Sequence, residues 1–423
     1  MTIDIRDSVT LDQLCDLIAI QCNPGDTPDA TYLGLEHLAP GRMRAVSEGR
    51  AADVQSHKFA FRQNDVLYGK LRPYLDKAVL AEGDGVCTTE LLVLRAKSGV
   101  APLYLACLLH APDFVEYAMS GVTGAHHPRT SWNHIAQYQM PHHDEHEQIA
   151  IARLLWDIHD LLTAGESTTA AATKLKQAAM RELLARGLRR EAQKETELGL
   201  VPRSWLVERL DSRAQVVSTR MSYAELESAE NAQENTVRVI GIKVSDMNRA
   251  GNETVLATAA MEKALDAGLA EYRCAPPGTI VFPKRGAAIA TNKKRLTNTW
   301  AVFDPNVIGV IPGDSIDPGF LFQWFQSFDL KTITEPGPTP QLNKKHLDPL
   351  LIPVPPDIEE QRDIAAILDA LDRKIAVQRA KRAVLEELLK ALLHKLMTGE
   401  IAVSDLDLSA LSPVLTQCEE TTA

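Results

Sequence analysis

Apolar residues recur with a seven-residue spacing near the end of the chain, between residues 357 and 398. Eight of the ten seam positions are apolar: Ile364, Leu368, Leu371, Ile375, Gln378, Arg382, Leu385, Leu389, Leu392 and Leu396. Alternating steps of three and four residues place these side chains on one stripe of a helix, as in a coiled coil. Asp357 can cap this helix and Gly399 can end it. The pattern predicts one helix of about 42 residues, roughly 60 Å long at 1.5 Å per residue.

The same pattern occurs half a chain earlier, between residues 144 and 187. Gln361 lies 213 positions after Gln148 (361 − 148), and the offset holds without a gap for about forty residues, the signature of an internal repeat. Asp144 and Glu147 have capping-box spacing, and Gly187 can end this helix. A solitary helix of this length would expose its apolar stripe. We therefore expect the two helices to pair antiparallel; the alternative is that each packs along its own domain.

Short apolar runs between Gly, Pro and Asp turns occupy the rest of the chain, with a helix-like stretch near 103–118. The repeat continues faintly here, since 65–72 lies opposite 278–285 at the same offset. We predict an α+β fold with two globular domains in a pseudo-two-fold repeat and two long helices pairing as an antiparallel coiled coil. The expected boundaries are 1–143 for domain 1, 144–190 for the first helix, 200–355 for domain 2, 356–400 for the second helix and 401–423 for a tail. Duplex DNA is the commonest ligand for such paired surfaces.

Composition agrees with several domains and a cytoplasmic location. A chain of 423 residues is too long for one core, and a content of 45% hydrophobic and 24% charged residues is typical of soluble globular proteins. No apolar run approaches the roughly 20 residues of a membrane span, and no basic segment marks a secretory signal at the start. The cysteines, Cys418 among them, have no CxxC spacing, which indicates reduced thiols.

The total charge and the local charge of the chain differ in what they indicate about nucleic-acid binding. The net charge of −11 argues mildly against nucleic-acid binding, although only the surface near the phosphates must be positive. Between Tyr272 and Phe303 there are six basic residues and no acidic residue. This stretch indicates either a nucleic-acid contact or a solvated loop.

Several short segments resemble the specificity subunits of type I restriction–modification systems. They are the helix starts Pro141…Glu147-Gln148 and Pro353-Val-Pro-Pro356…Glu360-Gln361, the run Pro202…Trp205…Leu210, the segments 65–72 and 278–285, and Gly337…Leu342-Asn343-Lys344. Each motif is weak alone, but their order and duplication cover nearly the whole chain. One departure is that the first domain has Val9–Leu14 in place of the Trp205 segment.

The resemblance implies a non-catalytic subunit whose two globular domains are target-recognition domains. Each would read one half of a bipartite sequence in double-stranded DNA, while the helices set the spacing and dock two modification subunits. Those partners would carry adenine methylation and S-adenosylmethionine, and restriction subunits would carry ATP- and Mg-dependent translocation and cleavage. This chain itself is expected to bind no cofactor and no metal.

Lys and Arg contact phosphates or guanine, and aromatic side chains can contact sugars or bases. The candidates for DNA contact are Lys70, Arg72 and Tyr74 in the first domain, and Lys284, Arg285, Lys293, Lys294, Arg295, Lys344 and Lys345 in the second. Partner contacts at the helix starts are predicted for Glu147, Gln148, Glu360 and Gln361; simple helix capping is the alternative.

No catalytic motif is present, which argues against a fused methyltransferase. Asp372-Arg373-Lys374 imitates part of a nuclease motif, but it lies in the long helix, where it indicates surface charges. A histidine-rich segment, comprising His126, His127, His134, His142, His143 and His146, indicates a polar loop more than a zinc site, since no cysteine lies nearby. The competing function is a coiled-coil scaffold that does not bind DNA.

Overall fold

A computed structural model of the protein describes residues 8–124, 126–334 and 340–407. The chain divides into two compact units: the first comprises Met1–Glu166 and Lys381–Ala423, and the second comprises Ser167–Ala380. Gly337 and Cys418 lie outside the described residues. Each unit therefore contains one globular domain and part of each long helix.

The two long helices are α5, Glu145–Arg186, and α11, Ile358–Met397. The capping box at the start of α5 is confirmed, because the Glu147 amide donates to Asp144 Oδ1 at 2.9 Å and the Asp144 amide donates to Glu147 Oε2 at 3.3 Å. At the start of α11, the Glu359 amide donates to Asp357 Oδ1 at 3.0 Å. Gly187 and Gly399 follow the helix ends with φ values of 63° and 69°, the left-handed conformation that ends helices.

In the first unit, the beginning of α5 packs against the end of α11. Ile151 and Leu155 share one buried cluster with Leu389 and Leu396. Early residues of one helix thus meet late residues of the other, so the predicted antiparallel pairing is confirmed. A neighbouring face of α5 packs on the globular part of the same unit, where Trp156 is buried and its Nε1 donates to the Leu103 carbonyl at 3.1 Å. Both kinds of packing foreseen for this helix therefore occur together.

In the second unit, the end of α5 pairs with the beginning of α11 around a buried ion pair. Lys176 Nζ lies 2.6 Å from Asp372 Oδ2, and Gln323 Nε2 donates to the same carboxylate at 2.9 Å. Met180 and Leu368 belong to one apolar cluster in this unit. The prediction that Asp372 is a surface charge was wrong: its side chain is 9% exposed because it accepts Lys176 and Gln323 at the helix seam.

The globular part of the first unit combines short strands and helices. Its strands are β1 Ser8–Thr10, β2 Cys15–Ile18, β3 Gln21–Cys22, β4 Thr31–Leu33, β5 Gly49–Arg50, β6 Lys58–Phe61, β7 Val66–Gly69, β8 Ala78–Leu80, β9 Gly85–Cys87, β10 Leu91–Ala96 and β11 Gln139–Pro141. Its short helices are α1 Leu11–Leu14, α2 Pro102–Leu108, α3 Pro112–Ser120 and α4 Trp132–Ile135. The sheets have the orders β2-β10-β7-β8, β3-β6-β9-β4-β5 and β1-β11.

The second unit repeats this plan. Its strands are β12 Gln193–Thr196, β13 Gly199–Pro202, β14 Leu206–Arg209, β15 Ala214–Val217, β16 Thr236–Ile242, β17 Val255–Leu256, β18 Met261–Asp266, β19 Ile280–Pro283, β20 Arg295–Thr297, β21 Trp300–Phe303, β22 Val307–Pro312 and β23 Leu351–Val354. Its short helices are α6 Tyr223–Ser228, α7 Ala267–Arg273, α8 Ala287–Ala290, α9 Pro318–Ser327 and α10 Lys344–Leu347. The sheets have the orders β15-β22-β19-β20-β17, β18-β16-β21, β14-β23 and β12-β13.

The two units share the strand order of two of their sheets. The row β2-β10-β7-β8 matches β15-β22-β19-β20, and the pair β1-β11 matches β14-β23. The strands β7 and β19 are apolar and buried along their whole length, as expected for central strands. The predicted α+β fold with a duplicated domain is confirmed. Within the described part of the chain, none of the helices combines the length and apolarity needed to cross a bilayer.

Candidate nucleic-acid interface

In the first unit, the chain leaves β7 at Gly69 and pairs with a second segment before α4. The Thr130 amide donates to the Lys70 carbonyl at 3.0 Å, and the Arg72 amide donates to the Pro128 carbonyl at 2.7 Å. Leu71 and Arg129 therefore lie opposite each other in an antiparallel bridge. We call residues 70–72 and 128–130 the first loop pair.

The second unit has the same arrangement after β19. The Leu342 amide donates to the Lys284 carbonyl at 2.9 Å, and the Gly286 amide donates to the Pro340 carbonyl at 2.9 Å. Arg285 and Gln341 lie opposite each other in the bridge. Residues 284–286 and 340–342 form the second loop pair, which precedes α10 as the first loop pair precedes α4.

Matching hydrogen bonds define which residues correspond. Lys70 corresponds to Lys284, Leu71 to Arg285, and Arg72 to Gly286. The last two residues both have positive φ values, 53° for Arg72 and 69° for Gly286, so the turn that ends each segment is left-handed. The alignment at a constant offset, which paired Arg72 with Arg285, was therefore wrong by one residue. A one-residue gap in the alignment of the two repeats accounts for the shift. The alignment of the long helices does not reveal this gap.

The predicted contacts of the first unit lie on or near its loop pair. Lys70 is half-buried, Arg72 is exposed, and Tyr74 is 52% exposed in the turn that follows. Arg129 was not predicted, yet its guanidinium is held by Glu90, with Nε to Oε2 at 2.9 Å and Nη2 to Oε1 at 3.2 Å. Hydrogen bonding to Glu90 raises the pKa of Arg129.

In the second unit, Lys284 and Arg285 border a cleft of about 470 Å³ that also includes Thr219, Tyr223 and Asp304. Lys284 is half-buried and Arg285 is exposed. Lys344 and Lys345 are exposed in α10, directly after the loop pair, and Lys344 Nζ lies 3.8 Å from Asp348. These four basic residues thus belong to the second loop pair or follow it directly in the chain.

Two of the other three basic candidates are buried in the second unit. Lys294 is 1% exposed and donates to the Phe328 carbonyl, while Arg295 is 8% exposed and donates to the carbonyls of Lys294 and Met247 at 2.8 Å. The assignment of Lys294 and Arg295 to DNA contact was wrong, because buried cations bound to carbonyls cannot reach phosphates. Lys293 is half-buried and hydrogen-bonded to Asn248, and its contact with DNA stays a prediction.

The two helix-start glutamines act inside the units. Gln148 Oε1 accepts from the Ala101 amide at 3.0 Å, and its Nε2 donates to the His143 carbonyl at 2.9 Å. Gln361 makes the equivalent bonds, accepting from the Asp317 amide and donating to the Pro355 carbonyl, both at 2.8 Å. Both side chains are buried with their polar atoms bonded. These contacts support the capping alternative, and the partner contact at these residues stays a prediction.

The two helix-start glutamates differ from each other. Glu147 belongs to the capping box of α5 and is exposed, so it remains accessible to a partner. Glu360 is 6% exposed and accepts from the Leu188 amide at 3.2 Å. This bond ties the start of α11 to the residues that follow α5 within the second unit.

Histidines of the histidine-rich segment contact different partners. His134 stacks on Tyr117 with ring centroids 4.5 Å apart and donates from Nε2 to the Tyr117 carbonyl at 2.8 Å. His143 Nδ1 lies 2.8 Å from the Tyr104 hydroxyl, and burial lowers the pKa of His143. No cluster of three or more His, Cys, Asp or Glu side chains suited to a metal ion occurs within residues 8–124, 126–334 and 340–407.

Sequence reasoning missed Glu90, Arg129, Asn306 and Gln341. Asn306 occupies the place of Glu90, since its carbonyl accepts from the Lys284 amide at 2.7 Å as the Glu90 carbonyl accepts from the Lys70 amide at 3.1 Å. A usable signal was present: Pro128-Arg129 and Pro340-Gln341 each place a proline before the position that faces the basic segment.

Comparison with known proteins gives one consistent family. A family model described as a type I restriction modification DNA specificity domain matches residues 278–387, which include the second loop pair and most of α11. The type I restriction enzyme MjaX specificity subunit of Methanocaldococcus jannaschii is 24% identical over 390 residues, covering 87% of this chain and 86% of the relative. The MjaVIII specificity subunit of the same organism is 23% identical over 396 residues, covering 89% and 87%.

A solved structure shares the fold. The type I restriction–modification system S subunit from M. genitalium aligns with a TM-score of 0.61 at 15% identity. The alignment covers 94% of this chain and 98% of that chain. The likeness therefore extends over both units rather than one domain.

Proposed function

We infer from these matches that the chain belongs to the specificity subunits of type I restriction–modification systems, and we propose that it selects the DNA sequence for such a system. The observation that carries the proposal is the duplicated loop pair. Each unit places a lysine, Lys70 or Lys284, at the same hydrogen-bonded position, and an exposed arginine follows it within two residues. Lysine and arginine side chains neutralise DNA phosphates and account for much of the affinity of such proteins.

Each unit would read one half of a bipartite site in double-stranded DNA. The first unit offers Lys70, Arg72 and Tyr74, and the second offers Lys284, Arg285 and the two lysines of α10. The acidic net charge is compatible with this function, because binding depends on the charge near the phosphates rather than on the total.

The long helices would dock the partner proteins. Leu175, Ile367 and Val377 in the second unit are 57%, 42% and 63% exposed, and Val384 in the first unit is 68% exposed. Exposed apolar positions on a paired helix are typical of a surface that another protein covers. We propose two modification subunits as partners, with restriction subunits joining the complex.

In this proposal the chain is non-catalytic, carries no cofactor of its own and works in the cytoplasm. Methyl transfer with S-adenosylmethionine and DNA cleavage with ATP and Mg²⁺ would belong to the partner subunits. The cysteines Cys15, Cys87 and Cys107 are buried free thiols, which agrees with a reducing compartment.

The first test measures DNA binding by the complex with modification subunits as a function of salt. Replacing Lys284 and Arg285 by alanine should weaken binding and reduce the slope of log K against log salt by about 0.9 for each lost phosphate contact. The matched control is Arg238→Ala, which removes a cation that is ion-paired with Glu262 on the strand pair β16–β18.

Two outcomes would contradict the proposal at different levels. An unchanged affinity and slope in the double variant would exclude Lys284 and Arg285 from the interface. Absence of DNA binding by the unsubstituted complex at low salt would favour the scaffold function instead.

A further inference from the structure

The two loop pairs are alike in backbone and different in the residues that face each other across the bridge. The lysine before the bridge is the same in both units, Lys70 and Lys284, whereas the bridged pair is Leu71 with Arg129 in one and Arg285 with Gln341 in the other. Residues directly opposite in an antiparallel bridge project to the same face. Each unit thus presents one pair of adjacent side chains, and the two pairs differ in their chemical groups.

In the first unit, the pair is an aliphatic side chain beside a braced arginine. Leu71 is half-buried, and the Arg129 side chain is 42% exposed. Glu90 binds Arg129 through Nε and Nη2, while Nη1 is 3.3 Å from the His127 carbonyl. A guanidinium fixed along one edge by a carboxylate is oriented for a planar acceptor on its remaining N–H groups.

In the second unit, both the arginine and the glutamate that binds it are replaced by other residues. Gln341 occupies the place of Arg129, and Asn306 occupies the place of Glu90. Gln341 and Arg285 are both exposed. A neutral amide side chain does not need a carboxylate to hold it. The change from Arg129 to Gln341 therefore agrees chemically with the change from Glu90 to Asn306.

We propose that the bridged pairs are the base-reading positions of the two units, a refinement that rests on the proposed function. The lysines contact phosphate in both units, because an identical residue at an identical position supplies no sequence difference. Arg129 reads a guanine and Leu71 contacts a neighbouring thymine methyl group in one half-site. Arg285 reads a guanine and Gln341 reads an adjacent adenine in the other. These assignments follow from the groups that each base presents in the major groove.

The decisive experiment transfers the first unit's set of residues to the second. The triple variant Arg285→Leu, Gln341→Arg and Asn306→Glu is assembled with the modification subunits and allowed to methylate a library of randomised DNA, which long-read sequencing then scores. We expect the half-site read by the second unit to lose its adenine preference by about 10- to 100-fold. The other half-site should not change.

Two single variants keep the test informative if the triple variant does not fold. Arg285→Lys preserves the charge but not the planar fork, so guanine preference should fall while the salt slope stays the same. Gln341→Glu keeps the shape of the side chain and should reverse its preference from adenine towards cytosine, whose amino group donates. The matched control is Arg238→Lys, which should alter neither half-site.

The outcomes separate this inference from the function on which it rests. Unchanged half-sites in all three variants, with normal DNA binding, would overturn the base-reading assignment and leave the specificity function standing. Methylation without any sequence preference in the unsubstituted complex would overturn both.

Discussion

Lys294 and Arg295 carry their charges inside the second unit, where backbone carbonyls accept their N–H groups. Burial lowers the pKa of Lys294 from 10.5 to about 8, because the ammonium form loses its hydration. This lysine therefore opposes folding while it is charged. Its ammonium group joins the residue before β20 to the Phe328 carbonyl.

The pH dependence of stability should report this buried lysine. Between pH of about 8 and 10.5 the unfolded chain binds a proton that the folded chain has released, so the free energy of unfolding should rise with pH in this window. Urea midpoints measured across it for the wild type and Lys294→Met test the effect. The rise attributable to residue 294 should vanish in the variant.

The control for this measurement is Lys331→Met, which removes an exposed lysine of the same unit. Because other groups titrate at high pH, the informative quantity is the difference between each variant and the wild type. Equal profiles for Lys294→Met and the wild type would show that the lysine is not desolvated in solution.

At the scale of elements, Gln148 and Gln361 join the start of each long helix to the start of a short helix in the same unit. Gln148 binds Ala101, which precedes α2, and Gln361 binds Asp317, which precedes α9. Each glutamine satisfies a backbone amide that no strand or helix pairs. The glutamine of each Glu-Gln motif therefore has a structural role within its own unit.

Removing one glutamine should loosen only its own junction. Gln361→Ala leaves the Asp317 amide and the Pro355 carbonyl unpaired, which should cost about 2–6 kcal/mol at roughly 1–3 kcal/mol for each buried group. Hydrogen exchange at the start of α9 should accelerate, whereas Gln148→Ala should accelerate exchange at the start of α2. Gln137→Ala, at an exposed position, is the control. Unchanged exchange in both variants would contradict the role of these bonds.

Element boundaries followed local sequence signals, although one predicted helix was divided. The stretch 103–118 forms α2 and α3 because Pro112 starts a new helix and removes an amide from the turn before it. The long helices, in contrast, begin and end within two residues of their predicted caps. Strong capping signals and a long apolar period determine such helices locally.

At the scale of the whole molecule, both long helices contribute to both units, since the unit boundaries fall at Glu166 and Ala380. We predict that the helices determine the number of unread base pairs between the half-sites. Inserting seven residues after Glu166 and seven after Ala380 keeps the heptad phase and lengthens each helix by about 10 Å. The recognised gap should grow by about 3 base pairs at 3.4 Å each, with both half-sites unchanged.

Methylation mapping of the reconstituted complex checks this prediction. The control is a four-residue insertion in α11 alone, which breaks the seam phase and should reduce activity rather than change the gap. A seven-residue double insertion that alters the half-sites, or leaves the gap as it was, would contradict the spacing role.

The amino-acid sequence by itself determined the duplicated plan, the two capped helices and the apolar stripe between them. These features depend on residues close together in the chain, where helical periodicity and capping act directly. The position of the lysine segments after β7 and β19 was likewise readable, because each follows an apolar strand.

Only the tertiary structure decided which polar residues face solvent and which face each other. Lys294, Arg295 and Asp372 look like surface charges in the sequence, yet each is buried against groups 34, 48 and 196 positions away. Arg129 and Gln341 join the basic segments through a bridge between distant segments. Such partners are set by strand pairing and helix packing across long sequence separations, which a local pattern of residues does not encode.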